Sequence, residues 1–142
     1  MTISQGQTTI FKQNCLSGLE NFAAGTPYIY KIALYNGNAS LDNSTTSYTT
    51  TNEITGTGYT AGGKILTVIP PAANATANTV YVSFSNVTWN PAAFTCRGAL
   101  IYNSSTGASI CVLNFGSDKT ASNTFTITFP ADTASDAIIR FS

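Results

Sequence analysis

Towards the C-terminus, apolar and polar positions alternate with the period of a strand. In "TFTITF" (124–129), Phe125, Ile127 and Phe129 fall on one side and Thr124, Thr126 and Thr128 on the other. That is the mark of a strand with one buried face. "YIYKIALY" (28–35) is rich in aromatic and β-branched residues. It places Ile29, Lys31, Ala33 and Tyr35 on one face and Tyr28, Tyr30, Ile32 and Leu34 on the other. Five more segments read as strands: "KILTVIP" (64–70, closed by Pro70 and Pro71), 79–89, 93–102, 109–116 and 137–142. The polar run Asn103 to Ala108 reads as a hairpin turn, and "NGNAS" (36–40) as another, since Asn and Gly suit positive φ. "TGTGYTAGG" (55–63) reads as a loop that crosses and feeds the strand beginning at Lys64. "LDNSTTSYTTTNEI" (41–54) is open between loop and short helix. No segment sustains a helical period. Seven strand segments separated by turn signals predict an all-β fold, an antiparallel β-sandwich over residues 27–142, jelly-roll or immunoglobulin-like in arrangement.

Residues 1–26 break this pattern. Gly6, Gly18 and Gly25 interrupt polar runs, and the apolar residues Ile10, Phe11, Leu16, Leu19 and Phe22 are scattered. The expectation is an extended N-terminal arm with one short turn of helix, unable to bury its apolar side chains within itself and therefore docked on another surface.

The chain has 142 residues, enough for one domain with an ordinary core. Hydrophobic residues make up 43% but charged residues only 8%, against about 25% in a typical soluble domain. Six basic and six acidic residues cancel, so no large basic patch for nucleic acid and no polybasic membrane anchor is expected. Thr, Ser and Asn supply the polarity. A neutral polar surface needs little ion desolvation when it is buried against a protein, which points towards assembly. The start "MTISQGQTTIFKQ" has no basic leader followed by an apolar core, so no signal peptide is expected, and no apolar run approaches the ~18 residues that span a bilayer. Synthesis in a cytoplasm follows as the default.

Candidate chemistry is sparse. There is no His, so a triad lacks its usual base. Among six acids only Asp132 and Asp136 are close in sequence, and their spacing matches no calcium loop. "GSDKT" (116–120) reads as a tight turn. "GTGYTAGGK" lacks the spacing and following helix of a phosphate loop. Lys31 and Arg97, within apolar strands, either point outwards or pair with acids such as Glu53. Cys15, Cys96 and Cys111 have no metal spacing. Centring the hairpin on 103–108 puts Cys111 opposite about Leu100, about 13 Å along the strand from a partner for Cys96. All three cysteines are therefore expected as free thiols. No catalytic residue, metal or cofactor is expected, and the chain reads as a non-enzyme.

"YKIALYNGNASLD", "TTSYTTTNEITGTGYTAGGKILT", "VTWNPAAFTCRGALIYN", "CVLNFGSDKTASNTFTITFP" and the closing "AIIRF" resemble a family of small structural proteins of tailed bacteriophages, some similar to capsid cement or decoration proteins. The most specific stretches are 48–63, 99–103 and 115–119. The resemblance implies a β-rich module on the outer surface of a virion head, bound to the major capsid protein and to itself, as a homotrimer over threefold positions. On this expectation Ile10, Phe11, Leu16, Leu19 and Phe22 of the arm, with Glu53 and Tyr59 of the glycine-rich loop, are the contact residues. The alternative is a head- or tail-fibre module binding a host glycan, with Trp89 and Tyr81 stacking on sugar.

Overall fold

The computed structural model describes residues 2–142 and is built mostly of strands in antiparallel sheets, with one short helix. In chain order the elements are β1 (Gly6–Gln7), α1 (Thr9–Leu16), β2 (Tyr30–Tyr35), β3 (Lys64–Ile65), β4 (Val68–Asn74), β5 (Thr79–Phe84), β6 (Val87–Trp89), β7 (Phe94–Asn103), β8 (Ser109–Ala121), β9 (Phe125–Ile127) and β10 (Ile139–Phe141). A five-stranded sheet runs β1-β8-β7-β2-β3, a three-stranded sheet β10-β5-β4, and a two-stranded ribbon β6-β9.

The two faces of β2 separate as the alternation predicts, and both are covered. Tyr30, Ile32 and Leu34 join Ile101, Cys111 and Leu113 in a core shared with Val82, Phe84, Val87 and Ile127 of the smaller sheets. Ala33 and Tyr35 join Leu100, Tyr102 and Val112 on the opposite face. There the cover is a long strap, residues 36–63, whose Ala39, Leu41 and Tyr48 pack down together with Ile3. The segment 41–54, open in the sequence, contains no helix; it crosses the sheet and touches it through isolated bridges such as Tyr35 with Glu53 and Ser47 with Ala108.

Several boundaries differ from the sequence reading, each for a local reason. The run 64–70 divides between two sheets: β3 pairs with β2, whereas β4 pairs with β5. β4 does not stop at Pro70 and Pro71. It passes through them as an edge strand to Asn74, with a register shift between Ile69 and Ala72, because an edge position tolerates the missing N–H groups. The run 79–89 likewise divides into β5 and β6. The predicted turn at 116–120 lies inside β8: Gly116 has φ of +83° and the β7–β8 register shifts between Cys96 and Gly98, so a bulge carries the strand onwards. The hairpin itself is as expected, except that an irregularity between Ile101 and Tyr102 places Cys111 opposite Ile101 instead of Leu100. Cys96 lies opposite Lys119, and all three thiols are free. Burial pushes Cys96 and Cys111 up to about 12 and Cys15 to about 11.

The largest correction concerns the N-terminus. Residues 2–26 do not stand apart as an extended arm. β1 pairs with β8, Gly6 opposite Val112. Thr8 is fully buried, caps α1 by accepting from the Phe11 N–H at 3.3 Å, and its own N–H donates to the Ile110 carbonyl at 2.9 Å. Phe11 and Phe22 then lie in the main core, their rings 5.9 Å apart, with Phe22 stacked on Tyr30 at 4.6 Å. The chain can bury these side chains because α1 is short and placed against β8, which scattered apolar residues do not advertise.

The same segment brings in a carboxyl with one oxygen unpartnered. Glu20 Oε1 accepts from Tyr30 Oη at 3.0 Å and from Asn103 Nδ2 at 2.9 Å, but Oε2 is buried without a partner. Burial raises the Glu20 carboxyl above its ordinary range, against hydrogen bonds that lower it. The folded state therefore holds this proton to higher pH than the unfolded chain does. Stability from Glu20 is fully present below the ordinary carboxylate value of about 4.3 and is lost as pH rises through the raised one. Glu20→Gln should consequently gain stability relative to the wild type between mildly acidic and neutral pH. The check is the difference in urea midpoint between the two proteins at each pH; a constant difference would remove Glu20 from this role.

Candidate functional site

Two of the sequence-predicted contact residues, Glu53 and Tyr59, meet in the strap. Glu53 Oε1 accepts from Tyr48 Oη at 2.5 Å, and Oε2 accepts from Tyr59 Oη at 2.5 Å and from the Gly62 N–H at 2.8 Å. Tyr59 Oη in turn accepts from the Leu34 N–H at 2.9 Å. Tyr48 stacks on Tyr102 at 4.7 Å, and Tyr102 Oη donates to the Gly62 carbonyl at 2.6 Å. Burial raises the Tyr59 and Tyr48 phenols, and the Glu53 carboxylate beside them adds to the effect; burial also pushes Tyr102 up to about 12. Every partner here belongs to the strap or the sheet beneath it. The arrangement fastens residues 48–62 to β2 and β7; it holds the strap rather than presenting a reactive group.

The glycines of the strap explain why this fastening is so close. A Cβ on Gly63 would lie 1.8 Å from the Ile32 carbonyl oxygen, and one on Gly58 1.8 Å from that of Pro91. Both residues also have positive φ, +81° and +85°. The glycine- and threonine-rich run is thus a backbone laid directly against backbone, which no side chain permits.

The remaining predicted residues scatter. Phe11 and Phe22 are core residues and are not available as contacts; Ile10 is half-buried. Leu16, 92% exposed, and Leu19, 53% exposed, lie open at and beyond the end of α1. Trp89, the leading residue of the glycan alternative, is 1% exposed and packs among Tyr59, Phe94 and Phe125. It cannot stack on a sugar. Tyr81 is half-buried. Arg97 pairs with Asp118 at 3.5 Å on the surface, not with Glu53.

The sequence reading missed an apolar groove. Ile29 and Ile65 are exposed and line one groove of about 250 Å³, with Ala23, Tyr28, Val68 and Pro70 among its other walls. β3, which carries Ile65, is an edge strand of the five-stranded sheet. The signal available was alternation: Ile29 shares a face with Lys31, and Lys31 pairs with Ile65. Val80 and Phe141 are a second exposed pair, opposite each other on β5 and β10.

Comparison of the chain with known protein families, curated proteins and solved structures finds no match.

Proposed function

We propose that this chain is a bacteriophage capsid cement protein: a module made in the host cytoplasm that binds the outer surface of the head, stabilises the major capsid protein shell and associates with itself as a homotrimer. In this reading the five-stranded sheet and the smaller sheets facing it form a two-layer sandwich of jelly-roll or immunoglobulin-like kind. The observation that carries the reading is the apolar groove beside edge strand β3, open on a chain with only 8% charged residues. Large exposed apolar side chains beside an edge gain from being covered, about 1–2 kcal/mol each. A neutral rim makes that covering inexpensive in desolvation. Many copies on a symmetric shell turn a modest contact into firm attachment. The resemblance carried by residues 48–63, 99–103 and 115–119 supports the same reading. Phe11 and Phe22 are committed to the core and take no part in this contact.

The test is addition of the purified protein to heads that lack it. Wild-type protein should co-sediment with the heads and raise their melting temperature, and should sediment alone as a trimer. Ile65→Asp, a change at a position 64% exposed, should leave folding intact and weaken binding at least about tenfold, equivalent to about 1.4 kcal/mol. Wild-type protein that folds but does not bind heads would end the proposal. Unchanged binding by Ile65→Asp would move the contact away from the groove.

A further inference from the structure

We infer that Asn36 is a self-modifying residue: the turn after β2 poises its side-chain amide for attack by the Gly37 backbone nitrogen, with the Asp118 carboxylate beside the reacting peptide. Asn36–Gly37 is the only Asn–Gly pair in the chain. Residues 36–39 form a tight turn closed by Ala39 N–H donating to the Asn36 carbonyl at 3.2 Å. Within it the Asn36 side chain is folded back: Oδ1 accepts from the Asn38 N–H at 2.8 Å. That bond holds the side chain over the following peptide and stabilises the charge that develops on Oδ1 when Cγ is attacked. Among the described residues, neither the Gly37 N–H nor Asn36 Nδ2 has a hydrogen-bond partner, so nucleophile and leaving group are both free. Gly37 is exposed, which gives water access. The strap on the other side is fixed, with Asn36 N–H donating to the Asn52 carbonyl at 3.0 Å.

A proton acceptor stands close by. A Cβ on Gly37 would lie 3.7 Å from Asp118 Oδ1 and 3.2 Å from Arg97 Cδ. Arg97 holds the Asp118 carboxylate there at 3.5 Å. Asp118 takes up the Gly37 proton through water. The Gly37 nitrogen bonds to Asn36 Cγ, the Cγ–Nδ2 bond breaks, and the side-chain amide leaves as ammonia. Water then opens the resulting imide at either carbonyl, leaving aspartate or isoaspartate at position 36. The net reaction consumes one water and releases one ammonia. One new carboxylate takes the formal charge from 0 to −1, and it appears beside Arg97 and Asp118.

The experiment follows the tryptic peptide 32–64 by mass spectrometry with fragmentation during incubation in mildly alkaline buffer, for the folded protein and for the chain in urea. Asn43, followed by Ser44, is an internal control in the same peptide. The expected result is a one-mass-unit gain confined to Asn36, at least as fast in the folded protein as in the unfolded chain. Asp118→Asn should slow the folded reaction several-fold and leave the unfolded one unchanged, and Asn36→Gln should abolish it. A slower reaction in the folded protein than in urea overturns the inference. A folded rate indifferent to Asp118→Asn overturns the role given to that carboxylate.

Discussion

A chain lacking residues 2–26 will not fold. The truncation removes β1 from the edge of the five-stranded sheet, the Thr8 bonds to β8, and Ile3, Phe11 and Phe22 from the two cores. Phe11 alone is fully buried, between Phe22 and Phe141. Cutting it to Ala should cost about 3–5 kcal/mol, because both transfer energy and packing are lost. Against a total stability of about 5–15 kcal/mol, that is a fifth or more for one side chain. The expected outcome is a shifted but cooperative urea transition for Phe11→Ala, and no cooperative transition for the truncated chain. A truncated protein that keeps a native-like melt would show that the N-terminal segment is an accessory.

Gly63→Ala should be the most damaging single-methyl change in the strap, costing on the order of 4 kcal/mol, the upper end for point substitutions. Two effects add. Positive φ costs an alanine about 1–2 kcal/mol, and the new methyl collides with the Ile32 carbonyl of a central pairing strand. Relief requires lifting the strap, which would break the Gly62 bonds to Glu53 and Tyr102. Gly107 separates the effects. Its φ is +85°, yet nothing lies within 4 Å of an added Cβ. Gly107→Ala should therefore show only the conformational cost. Denaturant unfolding of both variants checks the argument. Equal losses would mean that the close approach of strap and strand contributes nothing.

Much of the sheet was legible from alternation. Tyr30, Ile32 and Leu34 on one face of β2, Ala33 and Tyr35 on the other, and Ile127 with Phe129 inward are all where the period of two puts them. What alternation does not carry is partnership. The runs 64–70 and 79–89 are uninterrupted as propensity, but each changes sheets within two residues, a choice made by neighbours distant in sequence. The N-terminal segment misled for the opposite reason. Its helix is eight residues long and buries only Phe11, too little to leave a helical period; Thr8 at its cap was the one local sign. Glu53 and Tyr59 were singled out together from the loop, but their joint acceptance and donation depend on Tyr48, Gly62 and Leu34, which only the folded strap assembles.

The pairing of β1 with β8 sets a timetable for synthesis. Thr8 meets Ser109, 101 residues later in the chain. At about 5–20 residues per second, a ribosome needs roughly 5–20 s to travel between them. Once made, Phe11 and Phe22 must wait for β8 with their sheet unfinished. Non-local closure of this kind also slows the final folding step. The nascent chain is therefore most exposed to aggregation at its own N-terminus, and expression should respond to chaperone supply and temperature more than the stability of the finished fold alone would suggest.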